Sequence, residues 1–196
     1  MDIYKNLIDD SFKNANNNIS KITKYIIQMD GMIGTKTRHL YNNLLNTPDA
    51  RYLDIGTWKG TSVCSAMYKN NATVVCIDHW GKFGPKFEFS VNFDISKGKN
   101  CATFIEKDCY QVDVDTLAKF NIYANHTKQT DLLSHYYKCL DDIFIIIVND
   151  WNCNQVREET IRSIKNLKLK VLYEREIITD PNPEWRNGIY VAILQK

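Results

Sequence analysis

A strand that ends in a glycine-punctuated turn and runs at once into a helix is the feature that most constrains how this chain folds. The segment reads Leu53-Asp54-Ile55-Gly56-Thr57-Trp58-Lys59-Gly60-Thr61-Ser62. Its two glycines allow backbone angles and close approaches that other residues resist. A second apolar strand, 73–77, follows and leads into Asp78. This order of strand, turn, helix and strand predicts a βαβ unit within an open, mostly parallel sheet.

Strands and helices alternate along most of the remaining chain. The predicted strands are 51–55, 73–77, 102–106, 120–123, 143–148, 170–177 and 188–194. The predicted helices are two within 3–27, then 35–45, 60–69, 112–119, 130–140 and 155–167. Residues 79–100, with three glycines and a proline, are predicted to be irregular. The pattern predicts one α/β domain over 1–196, with N-terminal helices over 1–48 and a doubly wound core over 49–196 that ends in an antiparallel hairpin.

Composition narrows the partners and the compartment. A formal net charge of +2 on 196 residues, without a run of five like charges, does not favour nucleic acid or a membrane surface as partner. The longest apolar run, 143–148, is too short to span a bilayer. Six cysteines without a C-x-x-C pair, and a start without an apolar leader, predict a reducing, cytoplasmic setting. The edge beside the last hairpin and the N-terminal helices leave room for a homodimer.

Acidic residues lie at the ends of four of the five predicted parallel strands. They are Asp54, Asp78, Glu106 with Asp108, and Asp150. In open α/β sheets the ligand lies outside the carboxyl ends of the strands. Acids are costly to bury without a partner, so a hydroxyl-rich, cationic ligand would suit this edge of the sheet.

The glycine spacing separates this chain from one well-known cofactor class and resembles another. D-x-G-x-x-x-G differs from the dinucleotide pattern G-x-G-x-x-G. Together with the later acids it resembles motif I of the class I S-adenosylmethionine (SAM) methyltransferases. The resemblance implies a Rossmann-like class I methyltransferase sheet, with parallel strands, a C-terminal antiparallel hairpin and extra N-terminal helices. It also implies SAM as cofactor and S-adenosylhomocysteine (SAH) as product.

The same resemblance assigns roles around the cofactor. The carboxylate of SAM would lie at the start of the helix, with hydroxyl hydrogen bonds from Thr61 and Ser62, and its ammonium group near the turn carbonyls and Asp54. Asp78 would accept both ribose hydroxyls, Asp108 and the backbone of Cys109 would read adenine, and His79 or Trp80 would flank the ring. The predicted cofactor-binding residues are Met32, Asp54, Gly56, Thr57, Gly60, Thr61, Ser62, Asp78, His79, Trp80, Asp108, Cys109 and Asn125.

Three further segments resemble small methyltransferases of the catechol and macrocin O-methyltransferase type. Residues 29–32 resemble the segment that covers SAM there, 147–152 the V-D-D-W strand ending, and 185–189 the W-x-N-G turn. The chain departs from these relatives at the acidic D-G-x-H after strand four, where it has Ala124-Asn125-His126-Thr127 preceded by Tyr123. The first acid of the strand-five pair is Asn149. Because Mg²⁺ wants oxygen ligands, and carboxylates above all, no metal site is predicted.

His126 is the predicted general base, since an imidazole accepts a proton near neutral pH. Asp150 is predicted to orient it or to contact the acceptor. The alternative is that His126 caps the following helix. Direct methyl transfer depends on alignment more than on acid–base groups, so a weak catalytic set is compatible with activity.

The predicted acceptor is a hydroxyl or amine of a small molecule or sugar. Its pocket would lie among the N-terminal helices and the segments 79–100 and 178–187, and the former segment is either an acceptor lid or a loop packed on the sheet edge. The side chains expected there are Trp80, Phe83, Phe87, Phe89, Phe93, Pro181, Pro183 and Trp185. Two alternatives stay open: a degenerate homologue that binds SAM or SAH without transfer, and an NAD(P)-binding oxidoreductase, against which the glycine spacing speaks.

Overall fold

The computed structural model describes residues 2–82, 84–127 and 131–196, which form a layered α/β structure around a single sheet. The helices are α1 (Asp2–Asn16), α2 (Lys24–Gln28), α3 (Thr35–Leu44), α4 (Thr61–Met67), α5 (Lys86–Lys97), α6 (Leu132–Tyr136) and α7 (Asn154–Asn166). The strands are β1 (Arg51–Ile55), β2 (Thr73–Asp78), β3 (Cys101–Glu106), β4 (Phe120–Asn125), β5 (Leu140–Asn149), β6 (Lys170–Ile177) and β7 (Ile189–Gln195). Short 3₁₀ turns lie at Cys109–Gln111, Val114–Thr116 and Tyr137–Cys139.

The sheet order is β3-β2-β1-β4-β5-β7-β6. Strands β1 to β5 pair in parallel, and the order reverses between β1 and β4. The last strand, β7, lies between β5 and β6 and is antiparallel to both. The predicted Rossmann-like sheet with its terminal antiparallel hairpin is therefore confirmed. The point at which the strand order reverses lies beside the glycine turn that follows β1.

Apolar side chains of the central strands fill two cores, one on each face of the sheet. Along β1, Tyr52 packs on the face covered by α1, α3, α4 and α5, whereas Leu53 and Ile55 pack on the opposite face. The alternation follows from the two-residue period of a strand. Asp54 shares the face of Tyr52, so its carboxylate is directed towards the helices α3 and α4 rather than to solvent. Of the helices that the structure describes, none has the length and apolar character needed to cross a membrane.

The segment 79–100 differs from its prediction, because most of it is the helix α5. Pro85 precedes the first turn and Gly98, with φ of +50°, ends the helix. Phe89 and Phe93 lie in the core beside Trp80, and the opposite face of α5 carries exposed apolar side chains of which Phe87 is 79% exposed. Apolar residues on both faces hide the helical period, which explains why the sequence reads as irregular. The prediction that 79–100 is irregular is therefore wrong.

The other predicted acceptor-pocket aromatics are distributed as follows. Trp185 is buried in the core and stacks on Phe12 with ring centroids 6.0 Å apart, so it does not face an open pocket. Pro181 and Pro183 lie in the connection between β6 and β7. Phe83 lies outside the described residues.

Two predicted helices after β3 are shorter than expected. Over 112–119 there is only the turn Val114–Thr116, because the Asp113 carboxylate accepts the Asp115 N–H at 3.1 Å and satisfies the backbone locally. Within 130–140, α6 covers Leu132–Tyr136 and β5 already begins at Leu140, which pairs with Phe120 of β4. Strand pairing in the sheet thus replaces the predicted last helical turn.

Candidate functional site

A cavity of about 460 Å³ opens at the carboxyl ends of β1, β2, β3 and β4. Its volume is typical of sites for small molecules and cofactors. Eleven of the predicted site residues line it, namely Met32, Gly56, Thr57, Thr61, Ser62, Asp78, His79, Trp80, Asp108, Cys109 and His126. The residues on the wall that were not predicted are Ile33, Trp58, Ile77, Gly84, Pro85, Lys107 and Thr127.

The turn between β1 and α4 forms the floor of the cavity. Gly56 and Gly60 have φ of +82° and +84°, in the left-handed region where a side chain is strained. A Cβ on Gly56 would also lie 2.6 Å from the Thr127 side chain. Trp58 has φ of +48°, an uncommon angle for a bulky residue. Its N–H donates to the Asp78 carboxylate, and its carbonyl accepts from the indole N–H of Trp80. The turn is thus a fixed concave surface of backbone.

Asp54 lies fully buried beneath this turn. Its Oδ1 accepts from the Thr57 hydroxyl at 2.9 Å, and its Oδ2 accepts from Tyr52 and Ser62 hydroxyls at 2.5 and 3.1 Å. His126 completes the set, with Nε2 3.1 Å from Oδ2. Burial by itself raises the pKa of Asp54, but His126 and the hydroxyl donors lower it below its usual value. Asp54 therefore supports the floor from below instead of lining the cavity.

The hydroxyl groups at the floor have their hydrogens directed away from the cavity. Thr57 and Ser62 donate to Asp54, and Thr61 donates to the Asp30 carbonyl at 3.1 Å. Each hydroxyl has a single hydrogen, so only its oxygen lone pairs are left for a ligand. The expected donation from Thr61 and Ser62 to a ligand carboxylate does not fit this arrangement.

His126 is held at both ring nitrogens. Nε2 contacts Asp54, and Nδ1 lies 2.8 Å from Nδ2 of Asn149, which also donates to the Tyr41 hydroxyl at 2.9 Å. An amide nitrogen only donates, so Nδ1 accepts and the ring hydrogen lies on Nε2. The carboxylate that orients His126 is therefore Asp54. The prediction that Asp150 orients His126 is wrong.

Asp150 lies apart from the cavity, because neighbouring residues at a strand end point in different directions. Asn149 faces inward to His126, whereas Asp150, with φ of +55°, is exposed and accepts from the Asn187 amide at 2.8 Å. Asn125 is likewise off the wall, and its Oδ1 accepts from the backbone and hydroxyl of Thr127.

These contacts also decide whether the ends of β4 and β5 fit Mg²⁺. The oxygens of Asn125 and Asn152 accept backbone N–H bonds from Thr127 and Thr179. Of the residues described at these two strand ends, Asp150 alone carries a carboxylate. Among the described residues no group of three His, Cys, Asp or Glu side chains has the geometry of a metal site. The residues present do not fit the oxygen-rich, anionic set that Mg²⁺ requires.

Asp78 lies at the side of the cavity, with its carboxylate held by the backbone. Oδ2 accepts from the Trp58 N–H at 2.7 Å and Oδ1 from the Trp80 N–H at 2.8 Å. The His79 side chain, 67% exposed, places Nδ1 3.4 Å from Oδ1. A carboxylate has about four lone-pair positions, so further positions remain for hydroxyl donors from a ligand. The Trp80 ring packs on Phe89 with ring centroids 4.5 Å apart, so it is part of the cavity wall and not a free ring for stacking.

Asp108 and Cys109 form the far end of the cavity, after β3. The Asp108 carboxylate accepts the Tyr110 N–H at 2.9 Å and thereby begins the 3₁₀ turn Cys109–Gln111. The Lys107 N–H donates to the Asp78 carbonyl at 3.1 Å and ties this end to β2. Burial raises the pKa of the Cys109 thiol, so it is a neutral wall group.

Residues 29–34, here called the strap, place Met32 and Ile33 on the wall of the cavity. Arg38 of α3 is buried and donates to the carbonyls of Ile26 and Met29 at 2.7 Å and of Ile33 at 3.3 Å. Burial lowers the pKa of Arg38 to about 10, which still leaves it charged at neutral pH. The strap is thus fixed at both ends by one guanidinium.

Most of the wall residues that were not predicted lie next to predicted site residues in the sequence, and this proximity could have identified them. Trp58 and Ile77 lie inside the two motif segments, and Lys107 and Thr127 directly adjoin Asp108 and His126. Gly84 and Pro85 precede α5 in the segment read as irregular. The Asn149–His126 contact had no such signal, because it joins residues 23 positions apart across two strands.

Comparison with solved structures identifies the fold. The chain is similar to precorrin-6y C5,15-methyltransferase from Geobacter metallireducens, with TM-score 0.62, 12% identity, and coverage of 92% of this chain and 94% of that one. It is similar to the SAH-bound Podospora anserina methyltransferase PaMTH1, with TM-score 0.61, 10% identity, and coverage of 97% and 88%. The precorrin 8w decarboxylase from Methanobacterium thermoautotrophicum gives TM-score 0.59, 16% identity, and coverage of 86% and 93%.

No family model and no curated protein matches the sequence. The structural likeness, at these low identities, shows the fold and leaves the activity to be argued from the site. The sheet order, the antiparallel β7 and the neighbours agree, and the chain has the fold of the class I SAM-dependent methyltransferases.

Proposed function

We propose that this chain binds SAM in the cavity and transfers its methyl group to a hydroxyl or amine of a small molecule or sugar. The observation that carries the proposal is the convergence of the turn after β1, Asp78 at the end of β2 and Asp108 after β3 on one cavity. These are a surface for an amino-acid end, an acceptor for a diol and an acceptor for an exocyclic amine, in the order in which SAM presents its parts.

The chain's own residues supply binding and alignment. Asp78 offers its remaining lone pairs to two ribose hydroxyls, and Asp108 to the adenine amine. The strap residues Met32 and Ile33 line the same cavity as Trp58, and these side chains restrict the orientation of whatever binds beside the cofactor. SAM, when bound, supplies an electrophilic methyl group on sulfur, whose transfer gains most from correct alignment.

The acceptor follows from what the wall offers. A small cavity and a near-neutral chain favour a small molecule or sugar over nucleic acid. Because both nitrogens of His126 are engaged, proton removal from the acceptor is not assigned to it. A homodimer and a cytoplasmic location remain predictions.

Titration calorimetry of the purified protein with SAM, SAH and NADH tests this function. Micromolar binding of SAM and SAH, lost in Asp78→Ala and kept in Asp113→Ala, is the expected result, since Asp113 caps a turn away from the cavity. Binding of NADH alone would support the oxidoreductase alternative. Binding of SAM and SAH by a protein that transfers methyl to no tested hydroxyl or amine would support the degenerate homologue.

A further inference from the structure

We propose that His126 is a positioning residue which, through Asp54, presents the hydroxyl oxygens of Thr57 and Ser62 as acceptors for the ammonium group of the cofactor's amino-acid end. The inference rests on the proposed function and replaces the role of general base. It concerns a chain of contacts that joins the ends of three strands below the cavity floor.

The first step is the fixed tautomer of His126. The Asn149 amide donates one hydrogen to Nδ1 and one to the Tyr41 hydroxyl, so both of its donors are used. The ring is 12% exposed and packs beside Tyr41 with centroids 6.0 Å apart. Its Nε2–H is therefore directed at Asp54, and neither nitrogen has a free lone pair for a substrate proton.

The second step is the set of four hydrogen bonds that the Asp54 carboxylate accepts. Oδ2 receives His126, Tyr52 and Ser62, and Oδ1 receives Thr57. A buried carboxylate stays ionised only when such donors replace water. Without the Nε2–H, Asp54 would lose the donor that comes from β4, and the geometry of the remaining hydroxyls would no longer be fixed from that side.

The third step is the polarity of the floor. Because Thr57 and Ser62 give their hydrogens to Asp54, their oxygens present only lone pairs to the cavity, above a buried negative charge. Lone pairs over a negative charge favour an ammonium group and disfavour a carboxylate. The cofactor's ammonium end is therefore the part of the ligand whose binding depends on His126.

The test compares two ligands that differ at this end. SAH carries the amino-acid end, and 5′-methylthioadenosine shares the nucleoside and thioether but lacks it. Calorimetry is run on wild type, His126→Phe, His126→Gln and the control His135→Phe, since His135 packs between Tyr110 and Tyr136 away from the cavity. The Gln side chain restores an N–H near the position of Nε2.

We expect His126→Phe to weaken SAH binding about tenfold or more, with 5′-methylthioadenosine within about threefold of wild type. His126→Gln should recover most of the loss, and His135→Phe should change neither ligand. Imidazole ¹⁵N NMR of the unliganded wild type, which needs no variant to fold, should show the His126 hydrogen on Nε2.

Three results would overturn the inference: equal loss of both ligands in a folded His126→Phe, unchanged SAH binding with lost methyl transfer, or a ring hydrogen on Nδ1 alone. If wild type binds neither ligand, the proposed function fails and the inference with it. If wild type binds both and the variants change neither, the inference alone fails.

Discussion

Replacing Asp78 by asparagine perturbs the proposed ribose-binding end of the cavity with almost no change of shape. The backbone N–H groups of Trp58 and Trp80 each occupy one position on the carboxylate, one on each oxygen. A carboxylate has about four lone-pair positions, so about two remain for the hydroxyls of a diol. One of these hydroxyls would replace the 3.4 Å contact between Nδ1 of the exposed His79 and Oδ1 of Asp78. An asparagine has one acceptor oxygen. Its NH₂ group must therefore face the backbone N–H of either Trp58 or Trp80, which loses its acceptor.

The expected magnitudes follow from this count. A buried N–H that loses its acceptor costs about 1–3 kcal/mol, and a chain of this size loses about 2–4 °C of Tm per kcal/mol. The melting temperature of Asp78→Asn should therefore fall by about 2–12 °C. Loss of charge-assisted bonds to the ribose, about 1.5–3 kcal/mol in all, weakens SAH binding about 10- to 150-fold.

The assay is calorimetric titration with SAH beside thermal denaturation. Asp113→Asn is the matched control, because Asp113 also accepts a backbone N–H, from Asp115 at 3.1 Å, but lies off the cavity wall. Its single amide oxygen can still accept the one N–H of Asp115, so this variant should change neither Tm nor affinity. An Asp78→Asn protein that binds SAH within about threefold of wild type would show that Asp78 serves only the backbone and would refute the reasoning.

Three further outcomes are expected. Ellman titration of the native protein should find two fast thiols, Cys101 and Cys153, and six in denaturant, because the other four are buried and the pKa of Cys64, for example, is raised to about 12; more than two fast thiols would contradict the burial. Arg38→Met should lower Tm by several degrees, since it removes the guanidinium donor from the strap carbonyls of Met29 and Ile33 at about 1–3 kcal/mol each, whereas Arg38→Lys should recover part of the loss; an unchanged melting curve for Arg38→Met would show that the strap does not depend on it. Asp54 has a lowered folded pKa, so its contribution to stability is present above about pH 3.9, the unfolded value, and is lost as pH falls through the folded pKa; Tm measured from pH 7 to pH 3 should fall more steeply for wild type than for Asp54→Asn, and parallel curves would contradict the shift.

The parallel strands and the acids at their ends could be predicted because both leave local signals. β5 is apolar on both faces, as a central parallel strand must be. Asp78 ends β2 and Asp108 lies two residues after β3, and the ends of these strands meet at one edge. The helix α5 could not be predicted in this way, because Phe87 and Phe89 put apolar side chains on opposite faces and removed the amphipathic period.

The support beneath the site depends on pairing between distant segments. His126 reaches Asp54 across 72 positions, and the contact exists because Asp54 of β1 pairs in register with Ala124 of β4. A shift of one residue in that register would turn these side chains to opposite faces. The sequence indicated His126 as a candidate, but only the register shows which acid it meets.

The antiparallel β7 has a consequence for synthesis on the ribosome. β5 exposes an apolar, unpaired edge from the moment it emerges until residues 189–195 arrive to pair with it, and β6 has no neighbour in the sheet until then. At about 5–20 residues per second this interval lasts a few seconds. The nascent chain therefore passes through an aggregation-prone stage late in translation, when its first helices and β1 to β4 are already available, and codon changes that slow 150–188 should lower the yield of folded protein.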